Sequence, residues 1–411
     1  MSDWFGVSDF PTVAHCARPV SEYAPMKTAT VTKRGADRVR HGHLWIYRSD
    51  VVNADADGGS IVTVRDQHGN FIGQALYSDA SQIALRFLTQ TDVAIDRDWW
   101  RQRIREAAIR RRNIPADTNA YRLIYSEGDL LSSLIVDVYD DVLVLQTLSQ
   151  GTEAVKPLLT EILVEEFTPR AVVERNDVRV RELEGLELLA GALHGTPPEE
   201  LEILQHGIRF LVAPLGGQKT GSFLDQRENR MAARAVAHGR ALDCFTFNGA
   251  FALHLAGVCD YVLGLDISVE AIDTARRNAT LNEITNTEFR EANVFDSLRE
   301  MESASERFDM IVLDPPAFAK NRASLNSALR GYKEINLRAM KLLNPGGVLV
   351  TCTCSYHVSE QLFVDIIGEA ANDARRRVQI MEKRMQAGDH PVLLGMPETY
   401  YLKCLILRVM E

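Results

Sequence analysis

With 411 residues, 25% of them charged and 46% hydrophobic, the chain has room for two to four globular domains with ample cores. Its formal charge of −10 excludes global attraction to nucleic acid, so any such binding must rest on local patches. No membrane-length apolar span, no secretory leader and no CxxC pair among six cysteines predict a cytoplasmic protein without structural zinc, other metal or a disulfide scaffold.

Residues 1–26 contain Pro11, Pro19 and Pro25 without periodicity and read as an N-terminal extension, with Met26 available as an alternative start. Over 27–98, short β-like runs at 29–32, 61–65, 71–77 and 83–88 are separated by turn residues such as Asp57-Gly58-Gly59, which predicts a small barrel or sandwich. A central α+β domain is expected over 99–203. It comprises a helix at 99–112, strands at 134–138, 142–147 and 171–174, and a helix at 155–165. Residues 194–202, with Pro197-Pro198, read as a linker.

From 204 to 411, strands at 241–244, 261–265, 288–291, 310–313 and 348–351 alternate with helices at 250–255, 268–281, 332–343 and 358–371. That alternation predicts an α/β, doubly wound (Rossmann-like) parallel sheet. The last two runs, 378–383 and 401–410, lack a convincing helix between them and predict a strand pair with an antiparallel member.

The first strand of this sheet ends in Asp243, and the loop Phe245-Thr246-Phe247-Asn248-Gly249-Ala250 enters a helix. A dinucleotide site would want three glycines there. One glycine suits a ligand without phosphate, such as S-adenosylmethionine, whose methionine portion the backbone can wrap. Asp266, ending the second strand, is placed to accept hydrogen bonds from ribose hydroxyls, and Asn293, ending the third, to meet the adenine amine. Taken singly, each is an ordinary strand-end polar residue. Three in order at matching strand ends point to a cofactor, whereas Ser268 reads as a helix N-cap.

Two later strands end in Asp314-Pro315-Pro316-Ala317-Phe318 and in Thr351-Cys352-Thr353-Cys354-Ser355. In an open α/β sheet both would meet in the crevice beyond the strand ends. Acid, prolines and aromatic could hold an exocyclic amine for methylation, or the Asp could bind the edge of cytosine. A packed Phe318 after a proline-terminated strand is the bland alternative. Cys354 favours cytosine, because carbon 5 becomes nucleophilic only after a thiolate adds at carbon 6. Cys244, Cys259, Cys352 and Cys404 read as small core residues.

The strings Arg40-His41-Gly42-His43-Leu44-Trp45-Ile46-Tyr47, Glu174-Arg175-Asn176-Asp177, residues 217–227 (GQKTGSFLDQR), residues 330–336 (RGYKEIN) and Asp389-His390-Pro391 are more specific. With them, residues 27–411 resemble the bacterial family of ribosomal RNA large-subunit cytosine-5 methyltransferases with an N-terminal PUA domain. The resemblance implies a PUA-like RNA-binding domain at 27–98, a central α+β domain, and a class I methyltransferase domain at 204–411 that uses S-adenosylmethionine. It carries the catalytic roles to Cys354 as nucleophile and Asp314 as cytosine anchor, with Pro315, Pro316 and Phe318 at the substrate. Cofactor roles fall on Asp243, Phe245, Asn248, Gly249, Asp266, Ile267, Asn293, Val294 and Asp314. Thr220 and Phe223 belong to the stretch expected to close over the cofactor. Family members commonly have Cys-Ser-Gly where this chain has Cys354-Ser355-Tyr356, which alters the loop after the nucleophile.

RNA, specifically large-subunit ribosomal RNA, is the partner implied; a homodimer is compatible with the resemblance, though the sequence carries no interface signature. Phosphate contacts are expected from Lys33, Arg34, Arg38, Arg40 and His41, and from arginines on the 99–112 helix. Two other readings stand: an RNA amine methyltransferase acting on guanine or adenine through 314–318, and a non-catalytic RNA-binding assembly factor.

Overall fold

A computed structural model describes residues 27–216, 221–319 and 322–410. All statements of number or absence below refer to those residues.

The N-terminal part begins with β1 (Thr28–Val31) and α1 (Lys33–Arg40), followed by β2 (Trp45–Tyr47), β3 (Val51–Ala54), β4 (Ile61–Asp66), β5 (Phe71–Tyr77) and β6 (Ile83–Thr89). Its strands form one sheet in the order β2-β6-β5-β4-β1-β3, antiparallel except for the β1–β4 pair. Alternate positions such as Val62, Val64, Ala75 and Phe87 turn inward to a core of their own. Helix α1 adds only Ala36 and Val39 to that core, and Thr32 caps it by accepting from the Gly35 amide at 3.2 Å.

The middle part holds α2 (Arg97–Arg110), β7 (Ala120–Tyr125), β8 (Leu134–Tyr139), β9 (Val142–Thr147), α3 (Gln150–Phe167), β10 (Ala171–Asn176) and β11 (Leu189–Gly195). The sheet order is β11-β10-β9-β8-β7, with α2 and α3 packed on it around Trp100, Ile104, Leu159 and Ile162. Part of the expected linker is therefore the end of an edge strand, β11. Its run of Gly, Ala and Leu has weak strand propensity and is paired only with β10.

A hairpin, β12 (Leu201–Gln205) with β13 (Ile208–Val212), leads to α4 (Arg227–Val236). The last sheet is built from β14 (Arg240–Cys244), α5 (Ala250–Ala256), β15 (Tyr261–Asp266), α6 (Val269–Leu281), β16 (Thr287–Glu291), α7 (Val294–Ser303), β17 (Phe308–Leu313), α8 (Leu325–Leu342), β18 (Leu343–Thr353), α9 (Glu360–Ala374), β19 (Val378–Met385) and β20 (Lys403–Val409). Strand order is β16-β15-β14-β17-β18-β20-β19. Strands β14 to β18 are parallel, as the apolar runs of β15, β17 and β18 predict, although the edge strand β16 is mostly polar, and β20 is antiparallel to both neighbours. The order reverses between β14 and β17, which opens the crevice where such sheets bind ligands.

The middle and last parts meet at a buried polar seam. Asp389 Oδ2 accepts from Arg227 at 2.7 Å and from the Arg122 amide at 2.8 Å, and its Oδ1 meets His390 Nδ1 at 2.8 Å. Arg111 donates to the Asp389 carbonyl at 2.8 Å while pairing with Asp129. Burial pushes the Asp389 carboxyl up, but His390, Arg227 and the Arg122 amide outweigh it and hold the group well below the usual range. A Cβ on Gly128 would lie 2.3 Å from the Pro391 carbonyl, so only glycine permits this approach.

Candidate active site

The cofactor side of the crevice is organised by Asp243. Its Oδ2 accepts from Thr246 Oγ1 at 2.6 Å and from the Ala252 amide at 2.9 Å, so one carboxylate oxygen secures both the loop and the start of α5. Oδ1 is buried without a hydrogen-bond partner. Burial, reinforced by the charge of Asp314 and opposed by those two hydrogen bonds, raises this carboxyl to about 7.

The loop itself is strained: Phe245 and Phe247 adopt φ of 63° and 51°, and Gly249 has φ 81°. Left-handed backbone costs a non-glycine residue roughly 1–2 kcal/mol, and such strain concentrates at functional sites. A Cβ at Gly249 would stand 3.1 Å from the Phe289 ring and 3.2 Å from Ala275. Asp266 holds the loop from β15: Oδ2 accepts from the Phe247 amide at 2.9 Å and Oδ1 from the Ser268 amide at 3.0 Å. Beside it, Ile267 is 71% exposed, an apolar face open to a ligand ring. Phe223 meets Phe247 edge to face at 5.0 Å, bringing the 221–227 segment over the loop.

On the chemical side, β17 and β18 are parallel neighbours, so Asp314 and Cys354 leave the same edge of the sheet. Their loops are tied together. The Ala319 amide donates to Ser355 Oγ at 3.2 Å, Tyr332 Oη lies 3.0 Å from that same oxygen, and Thr353 Oγ1 donates to Tyr332 Oη at 2.8 Å. Gln226 Nε2 donates to Asp314 Oδ1 at 2.8 Å and is itself fixed by Asn229 at 2.7 Å. Cys354 is half-buried. Burial raises the Cys244 thiol, and a contact with Cys404 together with burial raises that of Cys352; both are core residues.

Residues 29–90 match the family described as a PUA-like domain, and residues 178–394 match S-adenosylmethionine-dependent methyltransferases. The chain is 41% identical over 377 residues to a protein of Tolumonas auensis named ribosomal RNA large subunit methyltransferase I, covering 89% of this chain and 95% of that one. A protein of the same name from Shewanella amazonensis is 42% identical over 381 residues, covering 89% and 95%. The crystal structure of SMU.776, a methyltransferase complexed with SAH, superposes with a TM-score of 0.82 at 19% identity, over 93% of this chain and 100% of that one. That last likeness shows the fold.

The chain belongs to the ribosomal RNA large subunit methyltransferase I family. Its members use S-adenosylmethionine, and the residues present fit that group. The unpartnered Oδ1 of Asp243 suits the cofactor's ammonium, Gly249 lets the loop turn close against Phe289 and Ala275, and Ile267 offers an apolar face.

The other expected site residues have structural places of their own. Asn293 is the N-cap of α7, its Oδ1 accepting from the Phe295 amide at 3.0 Å, with Val294 buried as the first helical residue. Phe318 is half-buried. It packs against Tyr332, Phe295 and Phe245 with ring centroids at 4.7, 5.9 and 6.3 Å, while Pro315 is buried and Pro316 exposed. The buried Asn248 uses its carbonyl to receive Asn278 Nδ2 at 3.0 Å. Thr220 lies outside the described residues.

Among the expected phosphate contacts, Arg34 pairs with Asp50 at 2.7 Å, Arg40 with Asp37 at 2.9 Å, and Arg38 covers the Tyr47 ring at 4.6 Å. Lys33 is exposed. In the second basic cluster, Arg101 and Arg105 pair with Glu165 and Glu166 of α3, while Arg112 is exposed.

Sequence reasoning missed Gln226, Arg230 and Tyr332. Arg230 is fully buried beneath the crevice, donating to Gln205 at 2.5 Å and to the Phe223 carbonyl at 2.7 Å. Burial lowers its pKa to about 10, against the pull of Asp314, Asp225 and Asp243, so it remains a cation at neutral pH. The signal available was the charged run Asp225 to Arg230, which has too many polar residues for the buried positions it occupies.

Proposed function

We propose that this chain forms 5-methylcytosine in large-subunit ribosomal RNA through a covalent adduct on Cys354. The observation that carries the reading is the placement of Asp314 and Cys354 on adjacent parallel strands, with loops clamped through Ser355 and Tyr332. The names of the relatives point to the large-subunit ribosomal RNA, and the PUA-like domain suits an RNA partner.

S-adenosylmethionine supplies an electrophilic methyl group on sulfur. Asp243 would hold its ammonium and Asp266 its ribose. Asp314, held by Gln226, accepts a hydrogen bond from the cytosine amine and orients the ring. The Cys354 thiolate adds to carbon 6, so carbon 5 gains the electron density to take the methyl, with the sulfonium bond breaking. Loss of the carbon-5 proton to a base then restores the ring, and its electrons expel the thiolate. A base inside a duplex cannot reach Cys354, so the target must be unpaired or flipped out.

The amine reading needs an aromatic free to stack on the base, and the packing of Phe318 weighs against it. The deciding experiment incubates unmodified large-subunit ribosomal RNA with this protein and methyl-labelled S-adenosylmethionine, followed by nucleoside mass spectrometry. Labelled 5-methylcytidine from wild type and none from Cys354→Ala is the expected result. Label on a base amine, or an unimpaired Cys354→Ala variant, overturns the thiol mechanism.

A further inference from the structure

One basic side chain at the strand ends is not used by this mechanism. Lys403, the first residue of β20, pairs in register with Thr353, the neighbour of Cys354. It is 3% exposed, although lysine is almost never fully buried without a partner. Its ammonium donates to the Tyr401 carbonyl at 3.2 Å and sits 5.1 Å from the centre of the Tyr400 ring.

The charges around it are few. Burial lowers the pKa of Lys403, and the two groups that oppose this are Cys354 across the strand pair and Glu360 at the start of α9. Glu360 is already engaged, accepting from Lys383 at 2.9 Å and from Tyr400 Oη at 2.9 Å. From α8, Tyr332 faces Cys354 as a phenol that burial keeps neutral. His357 lies in the same loop, and the Asp314 carboxyl group lies on the β17 side. Lys403 also lines a cavity of about 440 Å³ with Leu325, Tyr356, His357 and Pro397, which gives the lysine and the loop after Cys354 access to solvent.

We propose that Lys403 is a positioning residue for Cys354, its fixed ammonium serving as the countercharge that keeps the thiol ionised at neutral pH. This rests on the reading of Cys354 as the nucleophile. The thiol proton leaves to water, so no dedicated base is required for the first step. The same charge stabilises the thiolate when it departs from carbon 6. A point charge on a flexible stem suits this task, because the ammonium does not need to match a planar partner. A lysine that merely fills space would alter stability when replaced and leave the thiol's pH profile unchanged.

The test alkylates the folded full-length protein with iodoacetamide across a range of pH and follows the peptide containing Cys354 by mass spectrometry. In Lys403→Met the midpoint of the pH–rate profile moves up by about one unit or more, which corresponds to about tenfold less thiolate at neutral pH. Lys403→Arg keeps most of the wild-type midpoint. In the methylation assay Lys403→Met lowers kcat about tenfold and changes KM for RNA less than about twofold. Should methionine impair folding, read as alkylation of the buried Cys244 and Cys352, Lys403→Gln takes its place. A folded neutral variant with the wild-type midpoint overturns the proposal. The two claims fail separately: alkylation needs no methyl transfer, whereas the nucleophile reading is judged by the base that takes the label and by the activity of Cys354→Ala.

Discussion

Two regions of this molecule bury charge deeply and resolve it in opposite ways. At the seam around Asp389, both carboxylate oxygens have partners, supplied by Arg227, the Arg122 amide and His390. In the crevice, Asp243 keeps one oxygen hydrogen-bonded and leaves the other buried and unpartnered, and its carboxyl rises to about 7. The fully partnered Asp389 carboxylate holds two parts of the chain together. The unsatisfied one is an unfinished arrangement that a cationic ligand completes. Buried polar atoms without partners are costly enough that proteins retain them mainly where something else binds.

That contrast can be broken by substitution. Asp389→Ala leaves Arg227 with Glu228 as its remaining acidic partner, frees the Arg122 amide, and is expected to cost about 3 kcal/mol of stability, read by denaturant unfolding. Asp243→Asn removes a buried charge with no partner for one oxygen. It is expected to change stability by less than about 1 kcal/mol while weakening S-adenosylmethionine binding roughly tenfold to a hundredfold, the worth of a hydrogen bond to a charged group. Equal stability losses in both variants would erase the distinction.

The same contrast predicts opposite pH behaviour. Asp243 has a raised pKa in the folded protein, so its contribution to stability is full below the unfolded value of about 4 and is lost as pH rises through about 7. A bound ammonium favours the carboxylate, so cofactor affinity should fall below about pH 7, by up to about tenfold per unit, as calorimetric titration would measure. Asp389, depressed instead, contributes stability above the unfolded carboxylate range and loses it only as the pH falls through its lower folded value. The smallest effect is expected at the surface: Arg105→Ala, which breaks a pair with Glu166, should cost less than about 1 kcal/mol and leave RNA affinity unchanged. A clear loss of RNA binding would restore that helix as a phosphate contact.

The methyltransferase sheet was legible because β14, β17 and β18 are buried on both faces and carry unbroken apolar runs ending in Asp243, Asp314 and Cys354. Helix α1 was not legible, since its sequence KRGADRVR buries only three small or medium residues. Helix α7 was hidden for a different reason: Asn293, read at the end of a strand, also caps the helix that follows. Gln226 meets Asp314 across 88 residues, and Arg227 meets Asp389 across 162. Such partners share no local pattern, so residue type and spacing cannot pair them. The 222–227 and 389–391 strings were visible as specific sequences, but their joint role at the seam is a fact of tertiary structure.

The central claim is that Cys354 bonds to carbon 6 of cytosine, and trapping that bond is its most direct test. RNA carrying 5-fluorocytidine at the target cannot lose a proton from carbon 5, so methyl transfer should leave protein and RNA covalently joined. The account predicts a denaturation-resistant complex with wild type in the presence of S-adenosylmethionine, mass-mapped to Cys354, and none with Cys354→Ala. Methylation of ordinary RNA without a trapped complex on the fluorinated one, or a complex that persists in Cys354→Ala, would contradict it.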